Sequence, residues 1–261
     1  GELLVEISAS DELMVPLETA ALNHDGSQVL TYVCDFYNEE RGCWLQVWDS
    51  STGEELLHLI HSGGNWGSAA WSPDETMFLT SNSDGTIKVW DALTGEEIWY
   101  SQVDHVGPAV WSPDGSRIAT GGRKNDIKVL DALTGDELLL IVGLGNRVRV
   151  LVWNHDGAVL LTLTNDNLLD PRDSMVQLWD SQTGEELTRI QGFGIIKSLD
   201  WSPDERYILT AGDDGTVRAW FTQIGDMLEK ACEIAPRNFT EDEWRTFFPG
   251  EKYQKTCPLT P

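Results

Sequence analysis

The sequence has few basic residues and no long hydrophobic run. It carries 18 lysines and arginines against 43 aspartates and glutamates, a formal net charge of −25. Nucleic acids and anionic membranes require a basic footprint on the proteins that bind them, so the composition argues against both as partners. No apolar stretch approaches the ~20 residues of a membrane-spanning helix, and no signal peptide is recognisable. Because the chain begins at Gly1 rather than Met, we expect it to be part of a longer polypeptide.

Sequence motifs for catalysis and for metal or cofactor binding are also lacking. There is no phosphate-binding Gly-x-x-x-x-Gly-Lys, no Gly-x-Ser-x-Gly and no His-Glu-x-x-His. Pairs of carboxylates do occur, but a pair repeated four times indicates a structural turn rather than a single acid–base site. The pairs are Glu54-Glu55, Glu96-Glu97, Asp136-Glu137 and Glu185-Glu186. We therefore predict a protein that is not an enzyme, with no catalytic residue, cofactor or metal.

The four cysteines form two local pairs, Cys34/Cys43 and Cys232/Cys257. Neither pair has the short spacing of a zinc site. Reduced thiols in a cytoplasmic protein are the favoured interpretation. The alternative is a disulfide at each pair, which would place the protein in an oxidising, extracellular setting.

Against these absences, 12 tryptophans stand in a repeating pattern. One anchor is a turn, which recurs as Asn23-His24-Asp25-Gly26, Trp71-Ser72-Pro73-Asp74, Trp111-Ser112-Pro113-Asp114, Trp153-Asn154-His155-Asp156 and Trp201-Ser202-Pro203-Asp204. A second anchor is a strand ending in Trp-Asp, which recurs at Trp48, Trp90, Leu130, Trp179 and Trp220, spaced 42, 40, 49 and 41 residues apart. A third anchor, Thr-Gly followed by two acids, begins at Thr52, Thr94, Thr134 and Thr183. Between anchors, alternating segments such as Thr86–Trp90 predict short strands.

These three anchors closely resemble the WD-repeat family of β-propellers, in which a period of ~40–45 residues forms a four-stranded blade. The resemblance implies an all-β propeller domain over residues 1–221 with five visible four-stranded blades. Residues 2–7 match the outer strand of the repeat and are expected to complete the last blade, closing a five-bladed ring. The alternative is that further blades precede Gly1.

After Trp220 the pattern changes to helical spacing, and residues 222–261 are expected to form a helical tail that caps the propeller. Thr240 with Glu243 three residues later is a capping-box signature for one of its helices. The tail is similar to the end segment of large bacterial WD-repeat proteins, which often carry an upstream STAND-type nucleotide-binding switch domain. This similarity implies that the chain is the C-terminal part of such a protein.

The family's usual ligand-binding face, around the central opening, provides the candidate binding site. Aligned near the start of each first strand, the repeats place Trp66 beside three positive charges that are rare on this acidic chain: Arg147, Arg149 and Lys197. Tryptophan and arginine are enriched in interface hot spots. His105 is included as a binding candidate, although the family often places a structural histidine there. Two enlarged hairpins, at residues 35–42 and 165–173, are further places where function is commonly added.

The sequence thus predicts a non-enzymatic interaction module, a scaffold or sensor that binds other proteins or upstream domains of its own polypeptide. The inference from the family resemblance to an interaction function rests on analogy between proteins of the same fold. The alternatives are an extracellular or assembly-forming propeller with disulfides and, less favoured, a propeller hydrolase. A hydrolase would need convergent carboxylates on the first strands, where Asp200 is the lone acid among alanines and valines.

Overall fold

A computed structural model shows an all-β chain. The structure describes residues 17–34, 43–61, 68–82, 84–103, 106–122, 126–144, 147–164, 174–191, 194–222, 238 and 240–242. Within these residues, short strands pair antiparallel with their sequence neighbours to form five separate sheets. This confirms the predicted all-β class and the five repeats.

Each sheet contains one copy of the repeat. The first is β1 (Leu17–Leu22), β2 (Gln28–Cys34), β3 (Cys43–Asp49) and β4 (Glu55–His61); the second is β5 (Ser68–Trp71), β6 (Met77–Ser81), β7 (Thr86–Asp91) and β8 (Glu97–Gln102). The third is β9 (Val106–Trp111), β10 (Arg117–Gly122), β11 (Asp126–Asp131) and β12 (Glu137–Val142); the fourth is β13 (Val148–Trp153), β14 (Val159–Thr164), β15 (Met175–Asp180) and β16 (Glu186–Gln191). The fifth is β17 (Ile196–Trp201), β18 (Tyr207–Gly212) and β19 (Val217–Phe221).

The fifth sheet has three strands among the described residues, not the four of the predicted blade. The sequence accounts for the difference, because no outer-strand segment follows Trp220. Residues 2–7, which we expect to supply that strand, lie outside the described residues. So does most of the predicted tail, although Glu241 and Asp242 are helical immediately after Thr240, where the capping box predicts a helix start. No described helix is long and apolar enough to cross a membrane.

The turn between the first two strands of each sheet is closed by a buried serine or asparagine side chain. Its oxygen accepts a hydrogen bond from the main-chain N–H five residues later, which satisfies a donor that the tight turn would leave unpaired. The donor–acceptor pairs are Gln28–Asn23 (2.8 Å), Met77–Ser72 (3.0 Å), Arg117–Ser112 (2.9 Å), Val159–Asn154 (2.8 Å) and Tyr207–Ser202 (3.0 Å). The recurring Ser or Asn of the first anchor is therefore a structural residue.

The aspartate of the Trp-Asp anchor caps the Thr-Gly turn that follows it. In the second sheet Asp91 Oδ1 accepts the main-chain N–H groups of Leu93 (3.0 Å) and Thr94 (2.7 Å). These hydrogen bonds favour the carboxylate and lower the pKa of Asp91. In the first sheet the equivalent bonds, led by the Ser51 hydroxyl, lower the pKa of Asp49 to about 2. Gly95 completes the turn with φ of +72°, a conformation that favours glycine.

The chain divides into two compact units, residues 1–196 and residues 197–261. In the first unit, three apolar cores fill the spaces between successive sheets. The indoles of Trp71, Trp111 and Trp153 link the same sheets, because the Nε1 of each donates to a carbonyl of the preceding sheet. The bonds run from Trp71 to Ala21 (3.2 Å), from Trp111 to Ala70 (3.1 Å) and from Trp153 to Val110 (3.4 Å). A sheet of this repeat thus buries its faces only when it is stacked on its neighbours.

Cys43, at the start of β3, is in a disulfide. The residue opposite it in the β2–β3 ladder is Cys34. The sequence left two alternatives open for this pair, and the disulfide at Cys43 is the one that the structure contains. Cys232 and Cys257 lie outside the described residues.

Candidate functional site

The first strands of three sheets contain a β-bulge at the position where the sequence alignment placed the candidate binding residues. In β1, Leu17 and Thr19 pair with consecutive residues of β2, which leaves residue 18 as the extra residue. In β13, Val148 pairs with Thr164 and Val150 with Leu163, which leaves Arg149 as the extra residue. The ladder of β9 is interrupted at the equivalent point, between Val106 and Ala109. Bulges bend a strand and redirect a side chain, and they are over-represented beside functional sites.

Tight packing of Val148 on the third sheet positions the start of β13. A Cβ atom added at Gly121 would lie 2.5 Å from the Val148 Cβ, and one added at Gly107 would lie 3.1 Å from the Val148 carbonyl oxygen. Two glycines of the third sheet therefore leave the space that this valine fills. Val148 is 1% exposed. The residues on either side of it are consequently held in a defined place.

Arg147 and Arg149 flank Val148, and both side chains are exposed. Arg147 is engaged in an interaction. For Arg149, the described part of the chain contains no carboxylate partner. Other described cations have partners. Four form ion pairs: Lys88 with Glu97 (2.7 Å), Lys128 with Glu137 (2.7 Å), Arg189 with Glu186 (2.5 Å) and Arg218 with Asp214 (2.6 Å). Arg117 donates to the Gly157 carbonyl (2.7 Å) and lies over the Trp153 ring. Arg149 thus presents its guanidinium to solvent from a bulge in β13.

Lys197 lies in the second unit, one residue into β17. Its side chain is exposed, and its Nζ is 3.6 Å from Asp213 Oδ2. An exposed ion pair of this length contributes little stability, so Lys197 remains able to exchange partners. Lys197 belongs to the second unit, whereas Arg147 and Arg149 belong to the first.

Trp66 and His105, the other two predicted site residues, lie outside the described residues, as do both enlarged hairpins. Their proposed participation stays a prediction. Of the five predicted residues, the structure brings together Arg147 and Arg149.

The chemistry available at this surface is anion recognition. A guanidinium presents fixed N–H donors that match a carboxylate or phosphate bidentately, and it does not titrate in the physiological range. Among the described residues no group of three or more His, Cys, Asp or Glu side chains could hold a metal ion. The arrangement of Arg147, Val148 and Arg149 is suited to binding a ligand rather than to moving a proton.

Sequence reasoning selected Arg149 but missed the bulge that exposes it. Strict alternation in Val-Arg-Val-Leu-Val-Trp would place Arg149 on one face with Leu151 and Trp153, which are buried. The buried residues of β13 are instead Val148, Leu151 and Trp153, which are three and then two positions apart in the sequence. β17 has the same spacing, with Ile196 and Leu199 buried. An arginine within an apolar alternation was the available signal, because a buried unpaired guanidinium would be prohibitively costly.

Comparison with known proteins supports the WD-repeat resemblance. The model of the family "WD domain, G-beta repeat" matches residues 54–91 and 184–220. Nuclear distribution protein PAC1 of Arthroderma benhamiae is 28% identical over 204 residues, 74% of this chain and 43% of that protein. The serine-threonine kinase receptor-associated protein of Gallus gallus is 24% identical over 293 residues, 88% of this chain and 74% of that protein. Protein HIR1 of Cryptococcus neoformans is 31% identical over 94 residues, 34% of this chain and 10% of that protein.

Residues 54–91 and 184–220 are therefore similar to WD repeats, and the chain spans less than half the length of the PAC1 relatives that it matches. WD-repeat proteins are typically non-enzymatic interaction scaffolds, which is the class of function that the sequence predicts for this chain.

Proposed function

We propose that this chain is a non-enzymatic interaction module, a scaffold or sensor, that binds a protein partner through the bulge surface, defined here as Arg147 and Arg149 on either side of the buried Val148. The observation that carries the proposal is the exposed Arg149 guanidinium on a bulged strand, with no described carboxylate beside it. The partner segment would present a carboxylate to this guanidinium. On a chain of net charge −25, such a local positive surface would act at short range and determine specificity more than the rate of encounter.

The test is quantitative affinity purification from cells of the source organism, comparing the wild type with Arg149→Ala. Arg189→Ala is the matched control, because Arg189 is also exposed but is paired with Glu186. We expect at least one partner to be retained by the wild type and by Arg189→Ala and to be lost with Arg149→Ala. Arg149→Lys should restore binding only in part, since an ammonium cannot form the bidentate pair. If every partner is retained by Arg149→Ala, the bulge surface is not the binding site.

A connection to an upstream switch domain is a finer proposal. The tail similarity that motivates it lies largely outside the described residues, and the relatives reported above are eukaryotic. If the connection exists, partner binding at the propeller would control an upstream nucleotide-binding domain. The coding sequence before Gly1 tests this directly: a Gly-x-x-x-x-Gly-Lys motif is the expected result, and its absence from that sequence would remove the proposal.

A second candidate, an extracellular or assembly-forming propeller, is favoured by the Cys43 disulfide. A cytoplasmic location is the competing hypothesis and predicts free thiols in the protein from its natural source. Intact mass after alkylation, with and without reductant, distinguishes the two. Alkylation of all four cysteines without reductant would support the cytoplasmic location, whereas protection of Cys34 and Cys43 would support the oxidising one.

A further inference from the structure

The outer strand of the third sheet, β12, exposes a row of apolar side chains at an open sheet edge. The strand order is β12-β11-β10-β9, so no described strand pairs with the outer side of β12. Leu138, Leu140 and Val142 are 54%, 44% and 66% exposed. The alternate residues Leu139 and Ile141 are directed the other way, against the Thr-Gly turn at Gly184. We define Leu138, Leu140 and Val142 as the β12 row.

The other outer strands interrupt this row with a polar group at its middle position. The residue equivalent to Leu140 is His58 in β4, Tyr100 in β8 and Arg189 in β16. Polar and charged side chains on an edge strand discourage pairing with other chains, which is how natural sheets avoid edge-to-edge association. β12 alone among these strands has an aliphatic side chain at the middle position. Within the described residues, its open edge and its aliphatic row occur together.

Carboxylates lie at both ends of the β12 row. Asp136 and Glu137 stand at its start, and Asp126 is directly opposite Val142 in the β11–β12 ladder. Lys128 forms an ion pair with Glu137 (2.7 Å). The carboxylates of Asp136, at the start of the β12 row, and of Asp126, at its end, therefore remain for a cationic partner. A ligand for this edge therefore needs apolar residues in its centre and positive charge at its ends.

This charge pattern also indicates whether the partner of the β12 edge is a second copy of the chain or a different protein. Two antiparallel β12 strands would bring Asp136 and Glu137 of one copy to the Val142 end of the other, where Asp126 lies one strand further in, and each copy carries a net charge of −25. A net charge of this size and acidic groups at both ends disfavour pairing between copies. We propose that the edge of β12 binds an extended segment of another protein, with alternating apolar residues between basic residues, as an added antiparallel β-strand. Backbone hydrogen bonds provide the affinity of such strand addition, and alternate side chains provide its specificity. This interaction is separate from the bulge surface.

The probe for the test is a fluorescein-labelled peptide, Lys-Lys-Val-Thr-Val-Thr-Val-Lys-Lys, titrated with the protein and followed by fluorescence anisotropy. We expect saturable binding to the wild type and roughly tenfold or greater weakening by Leu140→Lys, which introduces the kind of charge that protects other edge strands. Leu140→Thr, which introduces a β-branched residue suited to a strand and adds no charge, should give a smaller loss. Leu187→Lys on β16 is the matched control and should bind as the wild type does.

Two further peptides test the binding mode. N-methylation of alternate residues blocks main-chain hydrogen bonds along one edge while keeping the side chains, so it should abolish binding. Replacing the four lysines by glutamate should abolish binding at low salt. Equal binding of the methylated or the acidic peptide would overturn the proposal, as would equal weakening by Leu187→Lys and Leu140→Lys. Dimerisation of the wild type in sedimentation, removed by Leu140→Lys, would show that the occupant is a second copy and would also overturn it.

Discussion

The second and third sheets are copies of one repeat, but they differ at the centre. In the second sheet, Trp90 Nε1 donates to Thr80 Oγ1 (3.1 Å), and the Trp90 ring stacks on Phe78 with centroids 6.3 Å apart. In the third sheet Leu130 replaces the tryptophan, and the buried Thr120 hydroxyl has no hydrogen-bond partner among the described residues. The first, fourth and fifth sheets keep the Trp–Thr bond. The third sheet nevertheless folds to the same ladder, so this bond is not a requirement for forming the sheet.

A second difference accompanies the first. The position after the threonine is Ser81 in the second sheet, where its hydroxyl is bonded to Ser68 (2.8 Å). In the third sheet it is Gly121, and the space a side chain would need is occupied by Val148. The third sheet has therefore exchanged internal polar bonds for apolar packing with the next sheet, and this packing is what positions Arg147 and Arg149.

Trp90→Leu should have the largest effect, because it makes the second sheet resemble the third without the compensating packing. The substitution removes buried ring area, the Phe78 stack and the partner of the Thr80 hydroxyl. We expect a loss of roughly 3 kcal/mol in the free energy of unfolding, near the lower end of the range for truncating a buried aromatic residue. Urea unfolding followed by circular dichroism measures it. A loss no larger than that of an exposed-surface substitution would mean that the ring carries no structural role.

Gly121→Ser imposes the second-sheet residue on the third sheet. Its Cβ would lie 2.5 Å from the Val148 Cβ, so the fourth sheet must shift away from the third. Overpacking of this kind costs about 1–3 kcal/mol. Urea unfolding is again the measurement, with Ser81→Gly as the reciprocal control. If Gly121→Ser leaves stability unchanged, the close approach of Val148 does not position the bulge surface.

Valine substitution of the two threonines separates the hydrogen bond from the packing. Thr80→Val removes the hydroxyl to which the Trp90 indole N–H donates and should cost about 1–2 kcal/mol. Thr120→Val removes a hydroxyl that has no partner and should be neutral or stabilising by up to about 1 kcal/mol. The two unfolding curves should thus move in different directions. Equal destabilisation by both substitutions would contradict the assignment of Thr120 as unpaired.

The turn-capping aspartates should not distinguish the two sheets. Main-chain hydrogen bonds from Thr94 and Thr134 lower the pKa of Asp91 and of Asp131, respectively. Because each folded-state pKa is below the ordinary value of 3.8, the stabilisation is present above about pH 4 and is lost as the pH falls through the folded-state pKa. Asp91→Asn and Asp131→Asn should each make the stability at neutral pH lower and its decline below pH 4 shallower, to the same small extent. Acid titration of urea midpoints measures this, and a marked difference between the two variants would show that the caps are not equivalent.

The sequence predicted the local features of the repeat, but it did not predict the features that depend on packing between sheets. The anchors at Trp71, Asp91 and Gly95 predicted the strands and turns because their signals are local. The disulfide at Cys43 was one of two alternatives, since pairing depends on which strands align and not on spacing alone. The bulge at Arg149 and the exposed β12 row were not predicted. Both depend on which face of a strand meets the neighbouring sheet, and alternation within one strand cannot specify that.

The amino-acid sequence by itself determined the repeat, the all-β class and the five sheets, because turn chemistry and the period of alternation act within a few residues. It also identified Arg147 and Arg149 as unusual charges on an acidic chain. Tertiary structure decided where those charges point. The burial of Val148 over Gly121, residues that are 27 positions apart in the sequence, sets the bulge and leaves the Arg149 side chain in solvent. Such packing is a property of two sheets in contact, and no single repeat contains it.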